Sequence, residues 1–269
     1  MTVCPSRRHP VNIRPMDLRE YSELSRNSRL IPGIYNYCDQ WCERCAFTSR
    51  CLHYLIQHDK GKEGDKGCRD QEKRKIVWEE LKETLDETIE LLEELMRAQG
   101  LDPDLPGTDD GSFYEEEKQL HEKARHHPLT RQVERYVRLA TSWLKKATEV
   151  QKVTKKVPEK HAVWSEAAKV LRHYLGLIPA KTGRALLGQM RFERQAQEAY
   201  LDDARGSAKV ALLGMDASLQ AWQTLLKIFP EEANSLADIL IRLEELKQET
   251  ELIFPAARSF RRPGFDDPV

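Results

Sequence analysis

Between residues 208 and 229 the apolar side chains Ala208, Leu212, Met215, Leu219, Trp222, Leu226 and Phe229 recur at alternating steps of four and three. That is the period of one face of an α-helix, and a face this regular must be buried against another helix. The chain supplies several. Val77, Leu81, Leu85, Ile89, Leu92 and Met96 repeat the pattern over about 71–99, with Gly100 where a C-cap is expected. Pro128 suits a first helical turn, and Leu129, Val133, Tyr136, Ala140, Trp143, Ala147 and Val150 continue the stripe until Pro158. Val163, Ala167, Val170, Leu171 and Tyr174 predict a helix ending at Gly176. A weaker segment follows over about 180–203, interrupted by Gly183 and Gly188. Leu236, Leu240, Leu243, Leu246 and Ile253 predict a last helix ending at Pro255.

No segment alternates as a strand would, and no fixed-period repeat points to a solenoid. The expected fold is all-α, an elongated antiparallel helical bundle preceded by an irregular N-terminal segment. Proline- and glycine-bearing stretches divide the chain into an arm over 1–68, a bundle over 69–255 with a linker at about 100–114, and a tail over 256–269. A short helix through Leu52, Leu55 and Ile56 is expected before the glycine-rich, mixed-charge stretch 58–70.

Composition narrows the function classes. Of the 269 residues, 40% are hydrophobic and 32% charged, enough for a sizeable core. Lys+Arg 43 against Asp+Glu 44 leaves a formal net charge of -1, so no global field would hold the chain on nucleic acid or an anionic membrane. No apolar run approaches the roughly 18 residues of a membrane span, and the N-terminus lacks the apolar stretch of a signal peptide. A cytoplasmic, non-membrane protein is expected.

The chemistry lies in CDQWCERCAFTSRC, where Cys38, Cys42, Cys45 and Cys51 stand as C-x3-C-x2-C-x5-C. Thiols do not persist as structural disulfides in a reducing cytoplasm, and a cluster this dense points to metal binding. Structural zinc usually takes two C-x2-4-C pairs across a longer spacer, whereas iron–sulfur clusters are often ligated by compact runs. The expected cofactor is therefore a [4Fe–4S] cluster, with Zn²⁺ as the alternative. Trp41 and Phe47 could shield it from water. Cys4 and Cys68 are expected to be spectators.

Two family resemblances touch this segment. Cys42, Cys45 and Cys51, as C-x2-C-x5-C, resemble the last three ligands of the iron–sulfur loop in endonuclease III-like DNA glycosylases, over about ten residues. Those enzymes place six residues before the second cysteine and carry the loop after a helix-hairpin-helix. Here there are three, and Leu30-Ile31-Pro32-Gly33-Ile34 lacks a hairpin's second glycine. Cys38, Cys42 and Cys45, as C-x3-C-x2-C, are similar to the triad of radical SAM enzymes. Arg44 replaces the aromatic residue usual before the third cysteine, and the β/α alternation of that family is missing. Cys51 as a fourth ligand would also close the iron site that must stay open, so the centre reads as fully ligated.

The remaining polar groups admit plainer readings. Glu117 and His121 stand four apart in a charged run, which reads as a solvated face. His126 and His127 read as cap and turn before Pro128. Glu166 and His173 share a helical face, with His173 in an expected last turn. No Glu-x-x-His pairing, phosphate loop, nucleophile elbow or H-E-x-x-H occurs. Lys209 and Asp216 are the only charges in KVALLGMDASLQAW and lie seven apart, a possible buried polar pair with Arg184, Asp203 or a neighbouring helix as partners. Lys145, Lys146, Lys152, Lys155 and Lys156 read as a solvated face that could contact phosphate. Arg258, Arg261 and Arg262 alternate with Phe260 and Phe265 in the tail, which could contact nucleic acid or staple the tail to its own protein. Three classes follow: an iron–sulfur protein in electron transfer, redox sensing or a structural role, docking a protein partner; a zinc-stabilised interaction scaffold; and an enzyme with a pocket near Lys209 and Asp216.

Overall fold

The computed structural model describes residues 27–59, 112–154 and 158–266, with scattered positions between 85 and 100. The chain divides into two compact units, Met1–Tyr35 with Cys42–Thr108, and Asn36–Trp41 with Asp109–Val269. Every regular element among the described residues is helical, so the chain is all-α.

The first unit carries two 3₁₀ turns, Cys42–Arg44 and Thr48–Arg50, and helix α1, Leu52–Asp59. Leu30, Ile34 and Leu52 are its buried apolar side chains among the described residues. The Ile31 N–H donates to the Arg50 carbonyl at 3.0 Å, and Arg50 Nε donates to the Arg29 carbonyl at 3.2 Å, tying residues 29–31 to the cysteine-rich turns. Of the helix expected over 71–99, the described positions from 85 to 97 are helical, and Gly100 takes φ 74°, as a C-cap glycine does. The rest of that helix, Cys4, Cys68 and the stretch 60–70 lie outside the described residues.

The second unit is a bundle of five helices: α2 (Ser112–Arg125), α3 (Pro128–Thr154), α4 (Pro158–Gln195), α5 (Glu198–Ile228) and α6 (Ala233–Ile253). Pro128 opens α3 as expected, and His127 caps it by accepting the Leu129 N–H on Nδ1 at 3.2 Å. The stripes predicted for α3 and α5 are the core: Leu129, Ala140, Leu212, Met215 and Trp222 are all fully buried.

The main departure is α4. An end was expected at Gly176, yet the helix runs through Gly176, Pro179, Gly183 and Gly188 for 38 residues. Proline removes one backbone donor and glycine weakens a helix by about 1 kcal/mol, but burial against α5 outweighs both. Gly188 has a packing reason: a Cβ there would stand 2.9 Å from the Tyr200 carbonyl oxygen. The chain reverses at Ala196, which takes the left-handed φ of 52° without being glycine, and its N–H closes on the Phe192 carbonyl at 2.7 Å. A two-residue link of this kind makes α4 and α5 an antiparallel pair.

Candidate functional site

Within the first unit the cysteine segment is built from tight turns. The Cys45 N–H donates to the Cys42 carbonyl at 3.2 Å, and the Cys51 N–H to the Thr48 carbonyl at 3.3 Å. Side chains three apart eclipse one another in 3₁₀ geometry, so each turn carries a cysteine at its closing position. The Phe47 N–H donates to Cys45 Sγ at 3.4 Å. Backbone N–H to sulfur hydrogen bonds of this kind also surround the sulfurs of metal-thiolate sites. None of Cys38, Cys42, Cys45 and Cys51 is in a disulfide, and each is partly exposed. Among the described residues, no three His, Cys, Asp or Glu side chains gather closely enough to hold one ion. The donor chemistry fits a soft metal, and a centre would require the thiols to close around it.

Cys38 belongs to the second unit, on the segment Asn36–Trp41, which is clipped to α4 and α5. His173 Nε2–H donates to the Asp39 carbonyl at 2.7 Å, and the Tyr174 hydroxyl donates to Asp39 Oδ2 at 3.1 Å. Asp39 Oδ1 accepts the Trp41 N–H at 3.1 Å, and the Trp41 ring stacks on His173 at 4.3 Å. Lys181 Nζ donates to the Asn36 carbonyl at 2.7 Å. On the α5 side the Tyr37 ring lies against Gly206, where a Cβ would collide with it, and meets Phe260 edge-on at 4.9 Å.

No family model matches this chain, and no curated protein or solved structure resembles it. The site is therefore read from its own residues. His173, Tyr174 and Lys181 hold the segment that carries Cys38, and the sequence reading did not place them there. Their signal was faint: a lysine just after Leu177 and Ile178 in an apolar stretch, on the same helix as a histidine and a tyrosine. His173 does not end a helix, since α4 continues for more than twenty residues beyond it. Glu166, its expected companion, pairs instead with Lys169 at 4.0 Å.

Lys209 and Asp216 are partly buried, and each finds its own partner rather than the other, Asp216 with one on the neighbouring helix α6. Lys209 Nζ reaches Asp266 Oδ2 at 2.7 Å, whereas Asp216 pairs with Arg258 at 2.6 Å and Lys247 at 3.4 Å. Arg184 and Asp203, the partners proposed for them, bind each other in a two-pronged pair at 2.9 and 2.6 Å. The tail is a staple: Phe254 and Ala257 are buried, and Arg258 and Arg262 are taken up in ion pairs. A cavity of about 260 Å³ between α3 and α6, lined by Trp143, Phe229, Lys146, Glu232 and Asp238 among others, lies at neither pair member nor cysteine.

Asp266 anchors this staple. Arg262 hydrogen bonds, helped by Lys209, hold its carboxyl well below the usual carboxylate range despite partial burial. A folded pKa below the unfolded one contributes stability that is complete above the unfolded value and is lost as pH falls through and below it. Asp266→Asn is expected to cost about 1 kcal/mol near neutral pH. The gap from wild type should close as unfolding is measured at successively lower pH below about 4. A gap that does not depend on pH would show that the carboxylate charge is not what holds the tail.

The other candidates resolve as structure. Glu117 does not join His121; Arg191 takes it at 2.6 Å and holds its pKa down, linking α2 to α4. His126 Nδ1–H donates to the Glu122 carbonyl at 2.8 Å. Lys145 and Lys146 are exposed, and the side chains of Lys152, Lys155 and Lys156 lie outside the described residues.

Proposed function

We propose that this chain binds an iron–sulfur cluster, [4Fe–4S] in type, through Cys38, Cys42, Cys45 and Cys51, and that the cluster serves electron transfer, redox sensing or structure beside a protein partner. The observation that carries the reading is the Phe47 N–H directed at Cys45 Sγ in a turn opened by Cys42. Four cysteines within fourteen residues, none of them in a disulfide, support it, because thiolates are the ligands such clusters use. The docking of Asn36–Trp41 on α4 and α5 supplies rigid support for one ligand. Full ligation leaves no open iron site, so the reading is not catalytic. It requires a reducing compartment, which makes the cytoplasm the proposed address. No helix among the described residues is long and apolar enough to cross a membrane. Nucleic acid is not part of the proposal, because Arg258 and Arg262 are engaged within the chain.

One observation favours zinc as a second reading. A 3₁₀ turn with an i to i+3 bond at C-x2-C brings two sulfurs to one side, which suits a single tetrahedral ion. Anaerobic purification with metal and sulfide analysis decides between them. Brown protein absorbing near ~400 nm, with about four irons per chain, is the expected result. Colourless protein with stoichiometric zinc replaces the cluster by the scaffold reading, and protein that takes up neither metal overturns both.

A further inference from the structure

The cavity beside Trp143 belongs neither to the cysteine segment nor to the tail staple. Its volume is about 260 Å³, and every residue lining it lies in α3, in α6 or in the turn between α5 and α6, so it is complete within the second unit. A small molecule is the occupant such a space admits. The walls are apolar and already held in place. Trp143, Phe229 and Ile239 are buried, and the Trp143 ring meets Phe229 edge-on at 6.2 Å and Trp222 edge-on at 5.4 Å, centre to centre. Rings locked against one another do not swing in to fill the space, and walls of this kind favour a flat apolar body. Charge of both signs lines the same space. Glu232 is half-buried at the N-cap of α6, yet its carboxylate accepts no capping hydrogen bond. Lys146 lines the cavity from α3. Among the described residues neither side chain has an ion-pair partner, the other included. Asp238, the second carboxylate, is shared with Arg242 at 3.4 Å.

We propose that this cavity binds a small zwitterion with a flat apolar body, the class to which the aromatic amino acids belong. The ring lies against Trp143, Phe229 and Ile239, the ammonium group turns to Glu232 and the carboxylate to Lys146. An organic cation alone is repelled by Lys146, and an organic anion alone by Glu232 and Asp238. A molecule that carries both charges gives Glu232 and Lys146 the partner each lacks, and the half-buried carboxylate recovers the cost of its partial desolvation. The inference does not depend on the cysteines, because no residue of the first unit lines the cavity.

Calorimetric titration of the full-length protein with L-tryptophan, tryptamine and indole-3-propionate tests this, because the three share a ring and differ in charge. L-Phenylalanine, phenethylamine and 3-phenylpropionate form a second, smaller series. In at least one series the amino acid is expected to bind at one molecule per chain, and each single-charge analogue at least about tenfold more weakly, since a missing ligand charge leaves a protein charge unpaired. Glu232→Gln should weaken the amino acid and the amine by about tenfold and leave the acid no weaker, and Lys146→Met should weaken the amino acid and the acid instead. The two substitutions lie on different elements, so a folding defect in one leaves the other to decide. Ser142→Phe, at an exposed position on the cavity wall, should fill the space and abolish binding. Failure of both amino acids to bind at millimolar concentration overturns the proposal. An amine or acid that binds as tightly as its amino acid also overturns it, because the cavity is then merely apolar or selects a single charge. Binding that survives Ser142→Phe does the same, since the ligand then sits elsewhere.

Discussion

Cys45→Ser is expected to bring bound metal down to background while the long helices keep their full circular-dichroism signal. The hydroxyl is a harder, less easily ionised ligand than a thiolate, and it sits on a shorter bond, so it cannot take the position of Sγ under the Phe47 N–H without moving the turn. Changes in the groups behind a ligand already cost about 10- to 100-fold in affinity, so loss of a ligand should cost at least about 100-fold. Because metal binding is coupled to ordering of the loop that carries the ligands, the same substitution should make residues around 29–51 more open to protease. Those residues are tied together by only a few backbone links, such as Ile31 to Arg50. Helices α3 to α6 have their own core and should melt within about 2 °C of wild type. Metal content by mass spectrometry, limited proteolysis and a thermal melt on one preparation test all three parts. Unchanged metal content in Cys45→Ser removes that residue from the ligand set and, with it, the reading of C-x3-C-x2-C-x5-C as a metal motif.

Helix identity was legible from periodicity wherever a stripe was long and unbroken. Ala208 to Phe229 reads as one face because Ala208, Leu212, Met215 and Trp222 all face the same buried seam. Pro128 was legible as a helix start because its missing N–H is no loss there. The course of α4 was not legible. Gly176 and Pro179 are breakers by local propensity, and only the surface of α5, which depends on residues up to forty positions away, makes continuation favourable. The true reversal was hidden for the opposite reason, because Ala196 takes a left-handed φ that sequence reasoning assigns to glycine.

The candidate site divides in the same manner. Cys38, Cys42, Cys45 and Cys51 stand within fourteen residues, so the motif needed no tertiary knowledge, although no three of these side chains gather closely enough to hold one ion. Their supports did need it. Asp39 is bound by His173 and Tyr174, and Asn36 by Lys181, across separations of more than 130 residues. Lys209 and Asp216 were legible as charges in an apolar stretch that must find partners. Which partners was settled by the tail, whose Arg258 and Asp266 fold back over α5. A sequence period of seven places two residues on one face of a helix but says nothing of which neighbour covers each.

Trp222→Ala is expected to cost about 4 kcal/mol in the stability of the second unit. The indole is fully buried, packs edge-on to Trp143 at 5.4 Å, and donates its Nε1–H to the Tyr136 hydroxyl at 3.1 Å. Truncating a buried tryptophan to alanine removes about 3–5 kcal/mol through lost transfer energy and the cavity left behind. Tyr136 is itself 1% exposed, and burial pushes its hydroxyl pKa up to about 12, so its oxygen has no solvent to replace the lost donor. Trp222→Phe separates the two contributions. It preserves most of the volume and loses the N–H, and should cost about 1–2 kcal/mol. For a unit of this size 4 kcal/mol corresponds to a fall of roughly 8–16 °C in Tm. Urea melts of the three proteins, followed by helical circular dichroism, give the differences directly. A loss below about 1.5 kcal/mol for Trp222→Ala would mean that the seam between α3 and α5 is not where the bundle's stability resides, and the assignment of this stripe as the core would have to be given up.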